Sequence, residues 1–423
     1  MRRFFQRLCP LFVIACSAFS ADSFYLKNGD RVVFYGDSIT DQRLYTVITE
    51  TYVVTRYPNL DVAFVHSGWG GDKVSGGGGG PIDVRLHRDV LPYKPTVMTI
   101  MLGMNDGLYR AETEETDKTF FTGYKHIVDT VKSDLPGIRI TAIQPSPYDD
   151  VTRAPTFPGG YNEVLISFGK WISNYGKEAG LNVADLNTGV VQTLRKANEL
   201  SPEEAQKIVP DRVHPGFSGH LIMAEQLLKS WNARSVVAAV TIDASAGKAK
   251  VISTEHASVS NLSSGNTVSW NETDEALPLP FKEWQGMWGI GPMALVMRSS
   301  NVAEDLNNEP LKITGLKNGV YSVKIDGNIV STFNNDELGR GVNLAILDTP
   351  MTKQAKQVYD LTVSHCDIHN QRWRTIQVPL TGYNLPQTEP AMQAADNLEQ
   401  AVVQKRHEVG QPKAHQFEIV PVT

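Results

Sequence analysis

The sequence predicts an α/β protein with a parallel sheet flanked by helices, followed by a small β module and a helical C-terminal segment. Three observations carry this. Short continuous apolar runs, the pattern of strands covered on both faces, alternate with helical stretches between Asp30 and about Ala233. From about Val236 the texture changes to short alternating runs separated by Gly, Asn, Asp and Ser. Beyond position 345, Thr352–His369 and Ala391–Arg406 read as helices.

The parallel strands are expected at Val32–Tyr35, Val62–Val65, Val97–Leu102, Ile138–Ile143 and Val183–Leu186. Leu44, Val47, Ile48 and Thr51 or Tyr52 recur at helical spacing and give the first helix an apolar face to lay on the sheet. Tyr161–Ala179 and Gly216–Trp231 are further amphipathic helices. The run Gly76–Gly80 before Pro81 holds neither helix nor strand and reads as a mobile loop near the site. No Lys-Ser or Lys-Thr pair follows it, which argues against a phosphate cradle. In the second half, Lys248–Ile252, Val320–Ile325 and Asn328–Phe333 alternate, and Asp326-Gly327 is a hairpin turn signal. The expected organisation is a leader at 1–20, an α/β unit at 24–235, an antiparallel β module at 241–345 and a helical segment at 346–423.

The leader combines Arg2, Arg3 and Arg7 with an apolar stretch Leu8–Ala15 and the small residues Ala18 and Ser20, which reads as a secretory signal peptide and an exported (periplasmic or secreted) product. Its apolar stretch is too short to span a bilayer, so no transmembrane segment is expected. Val13-Ile14-Ala15-Cys16 also resembles a lipoprotein cleavage box, which makes Cys16 a candidate lipidation site. Of the three cysteines, Cys9 and Cys16 belong to the leader, so Cys366 stays alone and no intrachain disulfide is expected. The formal net charge of −6 argues against a nucleic-acid partner.

Gly36-Asp37-Ser38-Ile39-Thr40 closes the first strand and places a serine at a strand-to-helix turn. A serine hydroxyl needs a base to take its proton and a carboxylate to orient that base. Asp211 and His214, three apart in Asp211-Arg212-Val213-His214-Pro215, supply such a pair. Acyl chemistry also needs donors aimed at a developing oxyanion. Two loops at the same sheet edge, Ser67–Asp72 and Gly103–Asp106, offer the Gly71 N–H, with Gly70 as its rival, and the Asn105 amide; the Ser38 N–H is a third donor. Asp37 and Asp106 are expected to accept backbone hydrogen bonds that hold the two turns. Trp69 could stack on a sugar or pack under its loop, and Trp284 and Trp288 read as packing between the halves rather than a carbohydrate platform. His365 and His369 have zinc-ligand spacing on a helix, but no third ligand is apparent in the sequence, so no metal is expected.

Gly36-Asp37-Ser38-Ile39, Gly71-Asp72, Gly103-Met104-Asn105-Asp106 and Asp211-Arg212-Val213-His214-Pro215, in this order, resemble the four sequence blocks of the SGNH (GDSL-type) hydrolases over roughly residues 24 to 235. The resemblance implies a flavodoxin-like three-layer sandwich and a cofactor-independent ester hydrolase. In it Ser38 is the nucleophile, His214 the base, Asp211 its orienting partner, and Ser38, Gly71 and Asn105 the oxyanion donors. Two departures stand out: Arg212 where a small residue is common, and His66 where asparagine is frequent. The stretch from Asp336-Glu337-Leu338 to Thr349-Pro350-Met351 resembles a region accompanying a bacterial subgroup of these hydrolases, and the C-terminal half is expected to shape the cleft entrance. The function expected is removal of short acyl groups, above all acetyl, from a carbohydrate through an acyl-Ser38 intermediate. The competing readings are a lipase or lysophospholipase, and a non-catalytic carbohydrate-binding protein.

Overall fold

A computed structural model describes residues 23–287 and 291–422. The leader, Cys16 and Trp288 lie outside the described residues.

Five parallel strands form the first sheet: β1 (Asp30–Gly36), β2 (Val62–Gly68), β3 (Val97–Met101), β4 (Arg139–Ile143) and β5 (Asn182–Ala184). Their order is β2-β1-β3-β4-β5, the flavodoxin-like arrangement. Val32 pairs with both Phe64 and Val97, so β1 is an interior strand. Val32, Val33, Phe34 and Tyr35 are wholly buried, which is why this strand shows no polar alternation.

A single helical turn, α1 (Ser38–Asp41), follows β1, and α2 (Leu44–Arg56), α3 (Ile82–Asp89), α4 (Glu114–Asp134), α5 (Tyr161–Ala179), α6 (Leu186–Leu200) and α7 (Phe217–Ser230) complete the unit. Helix α7 packs against α2 and α6, while α4 packs against α3 and α5, giving the expected three layers. The glycine run forms a two-residue ribbon, Gly76–Gly77 against Gly80–Pro81, rather than an unstructured loop.

The second half holds two more sheets. One, of order β13-β10-β6-β7, joins β6 (Ala239–Asp243), β7 (Lys250–Glu255), β10 (Pro310–Thr314) and β13 (Val342–Asn343). The other, of order β8-β9-β14-β11-β12, joins β8 (Ala257–Ser264), β9 (Val268–Asp274), β11 (Val320–Ile325), β12 (Asn328–Asn334) and β14 (Ala414–Pro421). Asp326 and Gly327 both take positive φ (52° and 78°) between β11 and β12, as a two-residue type I′ turn requires.

Three further features differ from the sequence expectation. Strand β10 pairs with β6 in parallel, Leu311 opposite Val240, so the module is not purely antiparallel. Segment 346–423 contains helices α8 (Pro350–Asn370) and α9 (Thr388–Val409), but it ends in β14, the middle strand of its sheet. Phe417 and Ile419, alternate residues of β14, are 1% exposed, and Phe417 stacks on Trp270 at 5.3 Å. Finally, Leu279, Phe281, Trp284, Met293, Val296 and Leu306 belong to the same apolar core as the parallel sheet. Trp284 is buried against Phe217, Phe281 and Tyr359, which favours packing over a sugar platform.

Because β14 closes its sheet late in the sequence, Phe417→Ala is expected to lower stability by about 3–5 kcal/mol. The urea midpoint measures this; an unchanged midpoint would contradict a central place for the strand.

Candidate active site

Strand order reverses between β1 and β3, and ligands of open α/β sheets bind in the crevice at such a switch point. Ser38 follows β1 and Asn105 follows β3. Asp37 caps α1, its Oδ1 accepting the Ile39 N–H at 3.0 Å. Gly36 is needed for close approach: a Cβ there would collide with Thr40 Oγ1 and the Met101 carbonyl.

Ser38, His214 and Asp211 form one hydrogen-bonded chain. His214 Nε2 lies 2.9 Å from Ser38 Oγ, and His214 Nδ1 lies 2.7 Å from Asp211 Oδ2. Asp211 Oδ1 accepts the backbone N–H groups of Val213 (3.0 Å) and His214 (2.7 Å). Partial burial pushes the Asp211 carboxyl up, but hydrogen bonds from the His214 amide and ring and from the Val213 amide outweigh it and hold it below the usual carboxylate range. Asp211 is therefore charged at neutral pH and fixes the imidazole with Nδ1 as donor.

Arg212 sits between them at φ +72°, a conformation natural to glycine. Its guanidinium offsets that strain by donating to the Ala154 carbonyl (3.0 Å), more distantly to the Asp149 carbonyl and Asp150 Oδ1 (3.4 Å each), and by lying over the Tyr148 ring. The departure at this position thus anchors the loop that carries Asp211 and His214.

The Gly70 N–H donates to Asp41 Oδ2 at 3.1 Å. Gly71, at φ +77°, has an N–H without a protein acceptor among the described residues, which favours it over Gly70 as the oxyanion donor. Asn105 Nδ2 donates one hydrogen to the Asp72 carbonyl (3.0 Å), and its Oδ1 accepts from the Tyr109 hydroxyl (2.9 Å). These two bonds orient the amide and leave its second N–H available. Tyr109 was missed in the sequence. Its spacing of four from Asn105 was a weak signal, but positive φ at both Leu108 and Tyr109 (56° and 55°) brings the hydroxyl back to the amide.

Asp106 Oδ1 accepts the Val74 N–H at 2.9 Å and ties the turn after β3 to the stretch after β2. Burial pushes the carboxyls of Asp37 and Asp106 up to about 7 each, and at Asp37 the charges of Asp106 and Asp72 add to this. Trp69 packs under its loop: Arg374 covers it at 3.6 Å from the ring centroid, with Arg85 and Arg88 each 5.2 Å from it. Buried Arg85 donates to Asp72 Oδ2 and to the Ser67 carbonyl, each at 2.7 Å, and pairs with Asp89.

Ser38 opens on a cleft of about 680 Å³ whose wall includes Gln42, Leu44, Phe217, Met287 and Tyr359. A second recess of about 370 Å³ joins Ser38 to Arg43, Asn370 and Arg374. The C-terminal half therefore lines the cleft through Met287, Tyr359, Asn370 and Arg374. Gln42 is held by His220, whose Nε2 lies 2.9 Å from Gln42 Oε1 while its Nδ1 accepts the Tyr45 N–H. Burial holds the His220 ring down at about 3, so it stays neutral.

His365 and His369 lie away from Ser38. The structure adds donors invisible in the sequence: Glu50, His66 and His365 come close enough to hold a metal ion. Their groups are engaged with one another instead, His66 with Glu50 at 2.9 Å and His365 with Glu50 and Glu399 at 3.0 Å each, while Arg406 pairs with Glu50. This is an ion-pair network, and it accounts for histidine at position 66. A larger cavity, about 1100 Å³, lies beside these groups between β2 and the C-terminal helices and does not include Ser38.

Residues 34–222 match the model of the GDSL-like Lipase/Acylhydrolase family. An acetylxylan esterase of Geobacillus stearothermophilus is 24% identical over 221 residues, 48% of this chain and 94% of its own. The structure of a gut microbial diltiazem-metabolizing enzyme is 25% identical and covers 94% of this chain and 98% of its own, with a TM-score of 0.82. A crystal structure of a Geobacillus stearothermophilus acetylxylan esterase, 22% identical, covers 49% of this chain and 96% of its own, with a TM-score of 0.41. Residues 34–222 are thus a unit of the GDSL-type (SGNH) hydrolase kind, and the protein is a carboxylic ester hydrolase.

Tyr109→Phe is expected to lower kcat roughly 5- to 10-fold with little change in KM, since one orienting hydrogen bond is worth about 1 kcal/mol. Steady-state kinetics on p-nitrophenyl acetate measure it. Raised folded-state values at Asp37 and Asp106 mean that the native protein holds these protons more tightly than the unfolded chain. Their contribution is therefore full below about pH 4 and is lost as the pH rises through about 7. Asp106→Asn, which mimics the neutral form, should gain thermal stability relative to the parent between pH 5 and pH 8.

Proposed function

We propose that Ser38 is the nucleophile of an esterase that removes short acyl groups, above all acetyl, from a carbohydrate. The observation that carries this is the chain from Ser38 Oγ through His214 to charged Asp211, with distances of 2.9 and 2.7 Å. His214 Nε2 takes the serine proton as Oγ attacks the ester carbonyl. The tetrahedral oxyanion accepts hydrogen bonds from the Ser38 and Gly71 N–H groups and from Asn105 Nδ2. Collapse expels the alcohol, which takes the proton from His214, and leaves acyl-Ser38. Water, deprotonated by His214, repeats the attack, releasing the carboxylic acid and restoring Ser38.

The likeness to an acetylxylan esterase supports acetyl and carbohydrate, as does the polar rim of Gln42, Arg43, Asn370 and Arg374 around Ser38. The apolar wall of Leu44, Phe217, Met287 and Tyr359 favours a second reading, acetate esters of apolar alcohols, in keeping with whole-chain likeness to a diltiazem-metabolizing enzyme. Export rests on the leader's composition, and mass spectrometry of the mature N-terminus would establish cleavage and any lipid on Cys16.

Acetate release from acetylated xylan, diltiazem and p-nitrophenyl acetate tests these readings. Ser38→Ala and His214→Ala should each abolish turnover, and Asn105→Ala should lower it ~10²–10³-fold. Equal release by the parent and Ser38→Ala would sink the assignment. Faster turnover of p-nitrophenyl octanoate than acetate would replace the deacetylase by a lipase.

A further inference from the structure

Of the C-terminal residues that reach the site, those just beyond α8 also bear on the loop that carries Gly71. Beyond α8 the chain continues as a π-helical stretch, Gln371–Gln377, a rare form that recurs at functional sites. It carries Trp373 and Arg374. Trp373 is buried, its Nε1 donates to Asp89 Oδ1 at 2.7 Å, and its ring meets Trp69 edge-on at 5.4 Å. Asp89 is the same carboxylate that pairs with Arg85, the buried anchor of the Ser67–Asp72 loop. Arg374 lies over the Trp69 ring, 3.6 Å from its centroid, and its Nη1 donates to the two Asp41 oxygens at 3.2 and 3.4 Å.

Asp41 connects this to the chemistry. It ends the helical turn that Ser38 begins, and its Oδ2 accepts the N–H of Gly70, the residue before Gly71. Glycine at 70 and 71 leaves this stretch of backbone without side chains to pin it, and Gly71 sits at positive φ. External contacts must therefore set its geometry. Arg374 and Asp41 are each about a quarter exposed, so their pairing adds little to stability; what it supplies is placement.

We propose that Arg374 is a positioning residue of the esterase site: it clamps Trp69 and Asp41, and through Asp41 and Gly70 it holds the Gly71 N–H on the oxyanion. This rests on the reading of Ser38 as nucleophile and Gly71 as donor given above. It also gives the C-terminal extension a catalytic consequence, because a donor displaced by a fraction of an ångström loses most of its effect on the transition state.

The test uses the full chain with p-nitrophenyl acetate, comparing Arg374→Ala, Arg374→Lys, Asp41→Asn, the Arg374→Ala/Asp41→Asn double variant and Ser38→Ala. Thermal midpoints are measured alongside. Arg374→Ala and Asp41→Asn should each lower kcat about tenfold or more with KM within about twofold. Lysine should restore only part of the loss, since it lacks the planar fork that stacks and pairs at once. The double variant should be no worse than the poorer single variant, as for groups in one chain of contacts. Unchanged kcat in Arg374→Ala beside an inactive Ser38→Ala would overturn this inference and leave the esterase reading standing. Activity retained in Ser38→Ala would overturn that reading itself. A raised KM at constant kcat would make Arg374 a substrate contact and overturn the positioning role. Should Arg374→Ala fail to fold, Asp41→Asn and Arg374→Lys decide by the same criteria.

Discussion

A parallel sheet delivers the carboxyl ends of all its strands to one edge, and a reversal of strand order opens a crevice there. In this protein the reversal lies between β1 and β3, and every feature of the candidate site follows from it. The loops after β1, β2 and β3 carry Ser38, Gly71 and Asn105 to that crevice without any strand having to bend. The turn holding Asp211 and His214 precedes α7, which packs on α2, the helix that follows the Ser38 turn. Hydrogen bonds between loops then complete the arrangement: Asp106 to Val74, Asn105 to Asp72, and Asp41 to Gly70.

The second half of the chain is bound to this frame by buried charge as well as apolar packing. Helix α8 packs on α2 and α9, and where they meet, Glu50, His66, His365, Glu399 and Arg406 share hydrogen bonds and ion pairs. Burial disfavours a charged His365, yet Glu50 and Glu399 outweigh it and push the ring up to about 9. Two carboxylates, Glu50 and Glu399, thus face the His365 imidazolium and the Arg406 guanidinium. Such a network stabilises little more than an apolar filling, but removing one partner strands a buried charge. His365 contributes fully below about pH 6.5 and loses its contribution as the pH climbs through about 9. The network fixes how the C-terminal helices sit and hence where Arg374 and Asn370 reach the cleft.

Much of the first half was legible because its signals are local. Val32–Tyr35 is an uninterrupted apolar run because both faces of β1 are covered, and Ser38 stands out because its turn needs a glycine and a capping aspartate. Asp211 and His214 lie close enough in sequence to be read as a pair. What was not legible depends on long-range contact. Nothing in Ala414–Pro421 says that it pairs with β9 and β11, strands some 90 to 150 residues earlier. Arg374 looks like any helical surface arginine until Trp69 comes beneath it, and Tyr109 reaches Asn105 only through two left-handed residues that no propensity favours. The i, i+4 spacing of His365 and His369 was visible, but their partners Glu50 and Glu399 lie on other helices.

The central claim is that Ser38 is made nucleophilic by His214 in a site whose donors await an oxyanion. A serine-directed fluorophosphonate tests it most directly, because its phosphorus is attacked by the activated hydroxyl and its oxygen occupies the oxyanion position. Intact-mass analysis with peptide mapping should find one adduct per chain, on Ser38, and none on the His214→Ala variant. An adduct on another residue, or equal labelling of Ser38 without His214, would contradict the account.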